Sequence, residues 1–161
     1  MIYKVFFYII NLGDNMDKDY CASAFVINPI NKKILLVYHN EFERWVQPGG
    51  HIEKNETPEE AVSREVWEET GVKIRLLGER FPREQDFIRP LGIQKNRTIS
   101  GKIHIDIIYP AVPINEVDHI DSDNDIQKIG WFTRNELERI KVFPDIKITM
   151  DYILKKYFSE A

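Results

Sequence analysis

The segment from Thr57 to Gly71 constrains this chain more than any other part of it. Thr57 is a good N-cap, Pro58 suits the first helical position, and Glu60 completes a capping box with Thr57. Glu59 and Glu60 sit at the positive end of the helix dipole, and Gly71 is the expected stop. The spacing therefore predicts a helix over Pro58 to Thr70. Along it stand Arg64, Glu65, Glu68 and Glu69. At about 100° per residue, Glu68 and Glu69 fall roughly 60° and 40° either side of Glu65, so the carboxylates share one face. Like charges at this spacing repel and weaken an isolated helix. Such a face is either a solvated acidic surface, with Arg64 and Lys54 as counterions, or a seat for a divalent cation.

The residues before the helix bear on that choice. Pro48, Gly49 and Gly50 form a stiff turn followed by a permissive one, and glycine lets a backbone carbonyl approach a ligand closely. A hard cation such as Mg2+ takes oxygen ligands in octahedral geometry. A backbone oxygen, carboxylates and water supply that set.

The rest of the chain reads as one α/β domain over residues 1–161. The 22 Lys and Arg stand against 26 Asp and Glu, a formal charge of −4. Grip on a nucleic acid polymer through many phosphates calls for a basic surface, so an anionic ligand has to be held locally or through a metal. The one cysteine, Cys21, cannot form an internal disulfide, which fits a reducing, cytoplasmic compartment. No apolar run approaches the roughly 20 residues that span a bilayer. Residues 1–15 read as an extra strand or as an extension ahead of a start at Met16.

Tyr20–Asn28 and Lys33–His39 read as two strands of a hairpin, turned by Asn28, Pro29, Ile30 and Asn31. Trp45–Gln47 is a short strand ended by Pro48, Gly49 and Gly50. Val72–Leu77 is a strand, Pro82–Asn96 a loop or irregular hairpin, and Lys102–Val112 a long alternating strand. Residues 115–125 are acidic and turn-like, and Ile126–Phe132 is a further strand. Thr133 and Glu136 form a second capping box for a short helix. After Pro144 a terminal helix carries Ile146, Met150, Ile153, Leu154 and Tyr157 on one stripe, with Asp145 opening it. This interleaving predicts a mixed sheet covered by helices on both faces.

Residues 50–72, GHIEKNETPEEAVSREVWEETGV, match the Nudix box at Gly50, Glu56, Arg64, Glu65, Val66, Glu68, Glu69, Gly71 and Val72. A match at all of these positions arises by chance on the order of once in 10⁹ starting points. WVQPGGHIE at 45–53 and IGWFTRNEL at 129–137 are also similar to Nudix segments, so the chain resembles a Nudix hydrolase from about Tyr20 to its C-terminus.

The resemblance implies an α/β/α sandwich with a mixed sheet. It also implies hydrolysis of a nucleoside diphosphate derivative by water, assisted by Mg2+ or Mn2+. It makes Glu65, Glu68 and Glu69 metal ligands, directly or through water, with the Gly49 carbonyl as backbone ligand. Glu65 or Glu68 is then the general base, and Arg64 orients the glutamates, pairing with Glu56. A further acid from a late loop often joins such sites. Asp125, six residues before Trp131, is the favoured candidate and Glu116 the second.

Arg44 stands near the Pro-Gly-Gly turn as a candidate phosphate contact. His104 and Asp106 share a strand face and are candidate cleft residues, and Asp145, with Phe143 and Pro144, is a candidate for reading a base. The marks of other branches are missing. Phe87 and Ile88 stand where the ADP-ribose branch has proline, and Ile88, Arg89 and Pro90 where the diadenosine polyphosphate branch has tyrosine. A MutT-like pyrophosphohydrolase acting on a (d)NTP or modified nucleotide, as monomer or homodimer, is the expectation. The alternative is a nucleotide-binding regulatory module without turnover.

Overall fold

Strand β1 (Lys18–Val26) is buried from Cys21 onward, and its Ala24 to Val26 end is apolar on both faces. Ala22, Ala24 and Val26 point into one core, and Phe25 and the following Ile27 point into another. The alternation of a pleated strand thus feeds two separate hydrophobic layers. The computed structural model describes residues 18–80, 82–83, 86–98, 101–114 and 128–159.

The order continues with β2 (Ile34–His39), β3 (Arg44–Val46), β4 (Gly49–His51), α1 (Pro58–Thr70), β5 (Ile74–Leu76), β6 (Gly92–Arg97), β7 (Ile103–Pro113) and β8 (Ile129–Phe132). A 3-10 turn, Glu136–Glu138, and the terminal helix α2 (Pro144–Tyr157) complete it. One sheet runs β4-β1-β7-β5, with β6 also on β7. The β1–β7 ladder is parallel, from Lys18 opposite Ile103 to Val26 opposite Ala111. The β4, β5 and β6 pairings are antiparallel, so the sheet is mixed. A second, antiparallel sheet runs β3-β2-β8.

Helix α1 buries Ala61, Val62 and Val66 against Ala22, Ala24, Val26, Leu35, Tyr109 and Ala111. Helix α2 buries Ile146, Met150 and Ile153 against Phe25, Ile27, Ile34, Leu36 and Ile108. Each of the Val, Leu, Ile, Phe and Met side chains among these contributes about 1.5–3 kcal/mol by leaving water. Alternate residues of β1, β2 and β7 face opposite helices, which is the α/β/α arrangement expected. Among the described residues no helix is long and apolar enough to cross a membrane.

Local signals hold well at α1. Thr57 Oγ1 accepts from Glu60 N (3.2 Å), Thr57 N donates to Glu60 Oε2 (2.9 Å), and Gly71 caps the helix in the left-handed conformation, φ 68°.

Other expectations need correction. The two first strands do not form a hairpin ladder. Asn28 makes the turn, its Oδ1 accepting from Ile30 N (2.9 Å), but β1 and β2 meet only at the bridge Ile27–Ile34 and then diverge into different sheets. Each strand finds a longer partner elsewhere, β1 on β7 and β2 on β8. Gly49–His51 is a strand on β1 rather than the end of one. The Pro82–Asn96 stretch ends in β6, whose polar Gln94, Lys95, Asn96 and Arg97 read as loop because, among the described residues, only one edge of this strand is paired. The Thr133–Glu136 box forms, with Thr133 N donating to Glu136 Oε2 (2.7 Å). It starts only a 3-10 turn, because the chain must return to pair beside Trp45, whose N donates to Lys141 O (2.9 Å). Phe143, not Asp145, is the N-cap of α2, and Asp145 stands in its first turn. The expectations for residues 1–15, for Glu116 and for Asp125 lie outside the described residues.

Candidate active site

The capping box and Gly71 fix the register of α1, and that register aims its carboxylates at β4. Glu69 Oε2 accepts from the Gly49 amide (3.0 Å). Glu65 packs so closely on Gly50 that a Cβ there would lie 2.5 Å from its carboxylate carbon. A Cβ at Gly49 would lie 2.5 Å from the Ala22 carbonyl oxygen. Glycine at both positions lets the turn press simultaneously on β1 and on the helix.

Arg64 gathers the rest. Its Nε and Nη2 donate to the two oxygens of Glu56 (2.8 and 2.9 Å), its Nη1 to Glu65 (2.8 Å) and Glu68 (3.0 Å), and its Nη2 to the His51 carbonyl (3.0 Å). The bidentate fork is the strong form of this contact. Arg64, with the Glu53 amide behind it, holds the Glu56 carboxyl below its ordinary range. In return Glu56 first, then Glu65 and Glu68, hold the guanidinium in its charged form. One guanidinium thus serves Glu56, Glu65 and Glu68, leaving the face around Glu65, Glu68 and Glu69 with an excess of negative charge. Carboxylate oxygens on a rigid helix beside a glycine turn are the donor set of a hard divalent cation, so these residues fit one.

A cleft of about 700 Å³ opens on this face, lined by Gly49, Gly50, Glu65 and Glu69 and, along its floor, by Ser23, His104 and Asp106. Phe42, Phe143 and Asp145 line it as well. Glu68 is exposed beside it on the same helix. Asp106 is buried, accepts from Ser23 Oγ (2.8 Å), and leaves its Oδ1 without a hydrogen-bond partner. Burial pushes its carboxyl up, against the pull of the Ser23 hydroxyl. Arg44 lies over the Phe143 ring (5.1 Å to the centroid), with Nη1 3.5 Å from the Val142 carbonyl. The Phe42 ring stacks on His39 (4.3 Å) and meets Phe143 edge-on (5.9 Å).

The structure therefore brings Gly49, Arg64, Glu65, Glu68 and Glu69 together, and places His104, Asp106 and Asp145 on the same cleft, with Arg44 beside its aromatic rim. Ser23, His39 and Phe42 went unread in the sequence. Ser23 carried one signal, a lone hydroxyl inside an apolar strand. His39 and Phe42 carried none, because only the tertiary fold brings them to the cleft.

The sequence model of the NUDIX domain matches residues 19–154, and the chain belongs to this family. It is 30% identical over 105 residues to a MutT-like protein of Streptomyces ambofaciens, covering 65% of this chain and 58% of that one. It is 33% identical over 93 residues to phosphatase NudJ of Escherichia coli K12, covering 58% and 54%. The chain thus spans somewhat over half the length of these relatives. A NUDIX family hydrolase structure from Clostridium perfringens superposes with TM-score 0.68 at 23% identity, over 85% of this chain and 96% of that one. A MutT protein structure from Methanosarcina mazei gives TM-score 0.59 at 20% identity, over 88% and 99%.

Proposed function

We propose that this chain is a metal-dependent hydrolase that cleaves the pyrophosphate linkage of a nucleoside diphosphate derivative, a (d)NTP or a modified nucleotide. The observation that carries the reading is one cleft lined by Glu65 and Glu69 beside Gly49 and Gly50, and also by the aromatic rings Phe42 and Phe143. Glu65, Glu68, Glu69 and the Gly49 carbonyl would hold Mg2+, with Mn2+ as substitute. Such a cation, when bound, would supply charge neutralisation at the diphosphate and a lowered pKa for water.

The chain's own groups do the rest. Arg64 fixes Glu65 and Glu68 so that one of them accepts the water's proton, and Asp125, with Glu116 second, is the sequence candidate for a further acid. Phe42 and Phe143 offer faces on which a base stacks. Arg44 is the candidate phosphate contact, His104 and Asp106 are candidate cleft residues, and Asp145 is the candidate for reading a base. The names of the relatives, a MutT-like protein and a phosphatase, support the class of reaction. The regulatory-module alternative predicts nucleotide binding without product; the retained carboxylates favour turnover.

The test is a panel of nucleoside triphosphates and nucleotide conjugates with Mg2+, scored for phosphate and pyrophosphate release. Hydrolysis should vanish in excess EDTA and return with Mg2+ or Mn2+. Undiminished turnover in chelator by metal-free protein refutes the metal reading, and tight nucleotide binding with no product across the panel assigns the chain to the regulatory alternative.

A further inference from the structure

The three strands β4, β1 and β7 lie side by side, and their ladders set four metal-ligating side chains on one face. Cys21 is opposite His51 across β1–β4, and Asp19 is opposite His104 across β1–β7. Residues 19 and 21 of β1 point the same way, into the cleft that Cys21, His51 and His104 line. One ligand atom each from Cys21, His51 and His104 lies within 4.8 Å of the others. The Nε2 atoms of His51 and His104 stand 3.6 and 3.8 Å from the same Asp19 oxygen. Those separations are long for hydrogen bonds. They are close to the roughly 3.3–3.5 Å between two ligands of one tetrahedral zinc, given bonds of about 2.0–2.3 Å.

We propose that Cys21, His51, His104 and Asp19 form a seat for a thiophilic divalent cation of the Zn2+ class, separate from the oxygen site on α1. The donor chemistry separates the two. Sulfur and imidazole select Zn2+ or Co2+ over Mg2+, whereas carboxylates and carbonyls suit Mg2+. Drawing the thiol and imidazoles onto one ion takes side-chain movements on the order of 1 Å, while the strands that carry them are held by their ladders.

Charge also closes. On binding, the Cys21 Sγ–H bond breaks, its proton passes to solvent and the thiolate bonds the metal. A thiolate and the Asp19 carboxylate then balance a divalent ion, and the imidazoles ligate as neutral rings, the ion taking over the Asp19 oxygen that now pairs with Lys102 Nζ at 3.7 Å. In the metal-free protein burial, with Asp106, Asp19 and Glu65 adding their negative charge, pushes the Cys21 thiol up to about 11. Those same charges favour a cation beside it. The seat is buried on the Cys21 side and open at His51, whose side chain is 58% exposed, so the ion has an entry path. The proposal stands on these side chains whether or not the cleft hydrolyses nucleotides.

The probe is Co2+ added to the full metal-free chain under reducing conditions. One equivalent should produce a near-ultraviolet thiolate-to-cobalt charge-transfer band. Cys21 is the only cysteine in the chain, so that band reports this site alone. A large excess of Mg2+ should leave the band in place, and one equivalent of Zn2+ should displace it. Folded Cys21→Ser should show no band. His51→Gln and His104→Gln should each weaken Co2+ binding at least about tenfold, the lower end of what lost support around a metal costs. Glu68→Gln and Glu69→Gln should give the thiolate-to-cobalt band at wild-type strength. No band with wild type overturns the proposal, as does a band that Mg2+ competes away. Wild-type affinity in both histidine variants overturns it too, and that result does not depend on how Cys21→Ser folds.

Discussion

Gly50→Ala separates folding from chemistry at this site. The added Cβ would stand 2.5 Å from Cδ and Oε1 and 2.6 Å from Oε2 of Glu65, where an ordinary contact needs at least 3.4 Å. The obstacle is the end of a flexible side chain rather than backbone, so the helix stays and the carboxylate retreats by about 1 Å. A displacement of about 1 Å in a reacting constellation can cost about 10²-fold in rate. The retreat also strains the 2.8 Å bond from Arg64 to Glu65, a partly exposed contact worth about 1 kcal/mol at most. For a chain of this size that is a Tm shift of about 2–4 °C. The assay is Mg2+-dependent turnover of the best nucleotide from the panel, paired with thermal melts. The expected result is a rate loss near two orders of magnitude with a small Tm shift. Since the effect passes through Glu65, Gly50→Ala combined with Glu65→Gln should be little worse than Glu65→Gln alone. Wild-type turnover in a folded Gly50→Ala, or full additivity in the double variant, refutes the placement of Glu65 in the chemistry.

Glu68→Gln and Glu69→Gln should each lower turnover by at least about 10²-fold while folding survives, since an amide relieves repulsion on the shared face; normal rates in both would make the face solvated decoration. Of four single Asn variants, Asp125→Asn should lose tenfold or more on the scale of about 10²–10⁴ for a lost acid-base group, with Asp118, Asp121 and Asp123 near wild type; a flat series leaves the base on the helix, and a loss confined to Glu116→Gln moves the role there. Asp106 has a carboxyl pushed up by burial, so its folded form favours the proton. Its contribution to stability is complete below the unfolded value and is lost as pH rises through the folded one. Melts of wild type and Asp106→Asn from pH 4 to 8 should therefore diverge, the variant gaining relative stability as pH rises, and parallel curves would show the carboxylate is not penalised.

Helix α1 was legible because everything that bounds it is local: Thr57, Pro58, Glu60 and Gly71 act within one turn of where they stand. Glu65, Glu68 and Glu69 were legible for the same reason, as helical geometry alone puts them on one face. The split into two sheets was not legible. Asn28 gives a true turn signal, but whether the strands beside it pair is decided by β7, more than 80 residues along the chain. Strand β6 was hidden because, among the described residues, only one of its edges is paired, so Gln94 to Arg97 need no apolar pattern. Cys21, His51 and His104 are unremarkable one at a time in sequence. Only strand register makes them neighbours, and register is a long-range property.

Phe42 and Phe143, which line the cleft, belong to neither buried core. The floor of the cleft is different: Ser23 and Asp106 stand on β1 and β7, the strands that join both helical layers. The molecule is therefore divided into a frame that tolerates little change and a rim that tolerates much. If the proposed function holds, lineages carrying this frame can exchange rim aromatics, and with them the preferred base, without opening either buried core. Substrate preference is thus free to drift quickly while the carboxylate helix stays fixed. Two chains that share this helix, letter for letter, need not share a substrate.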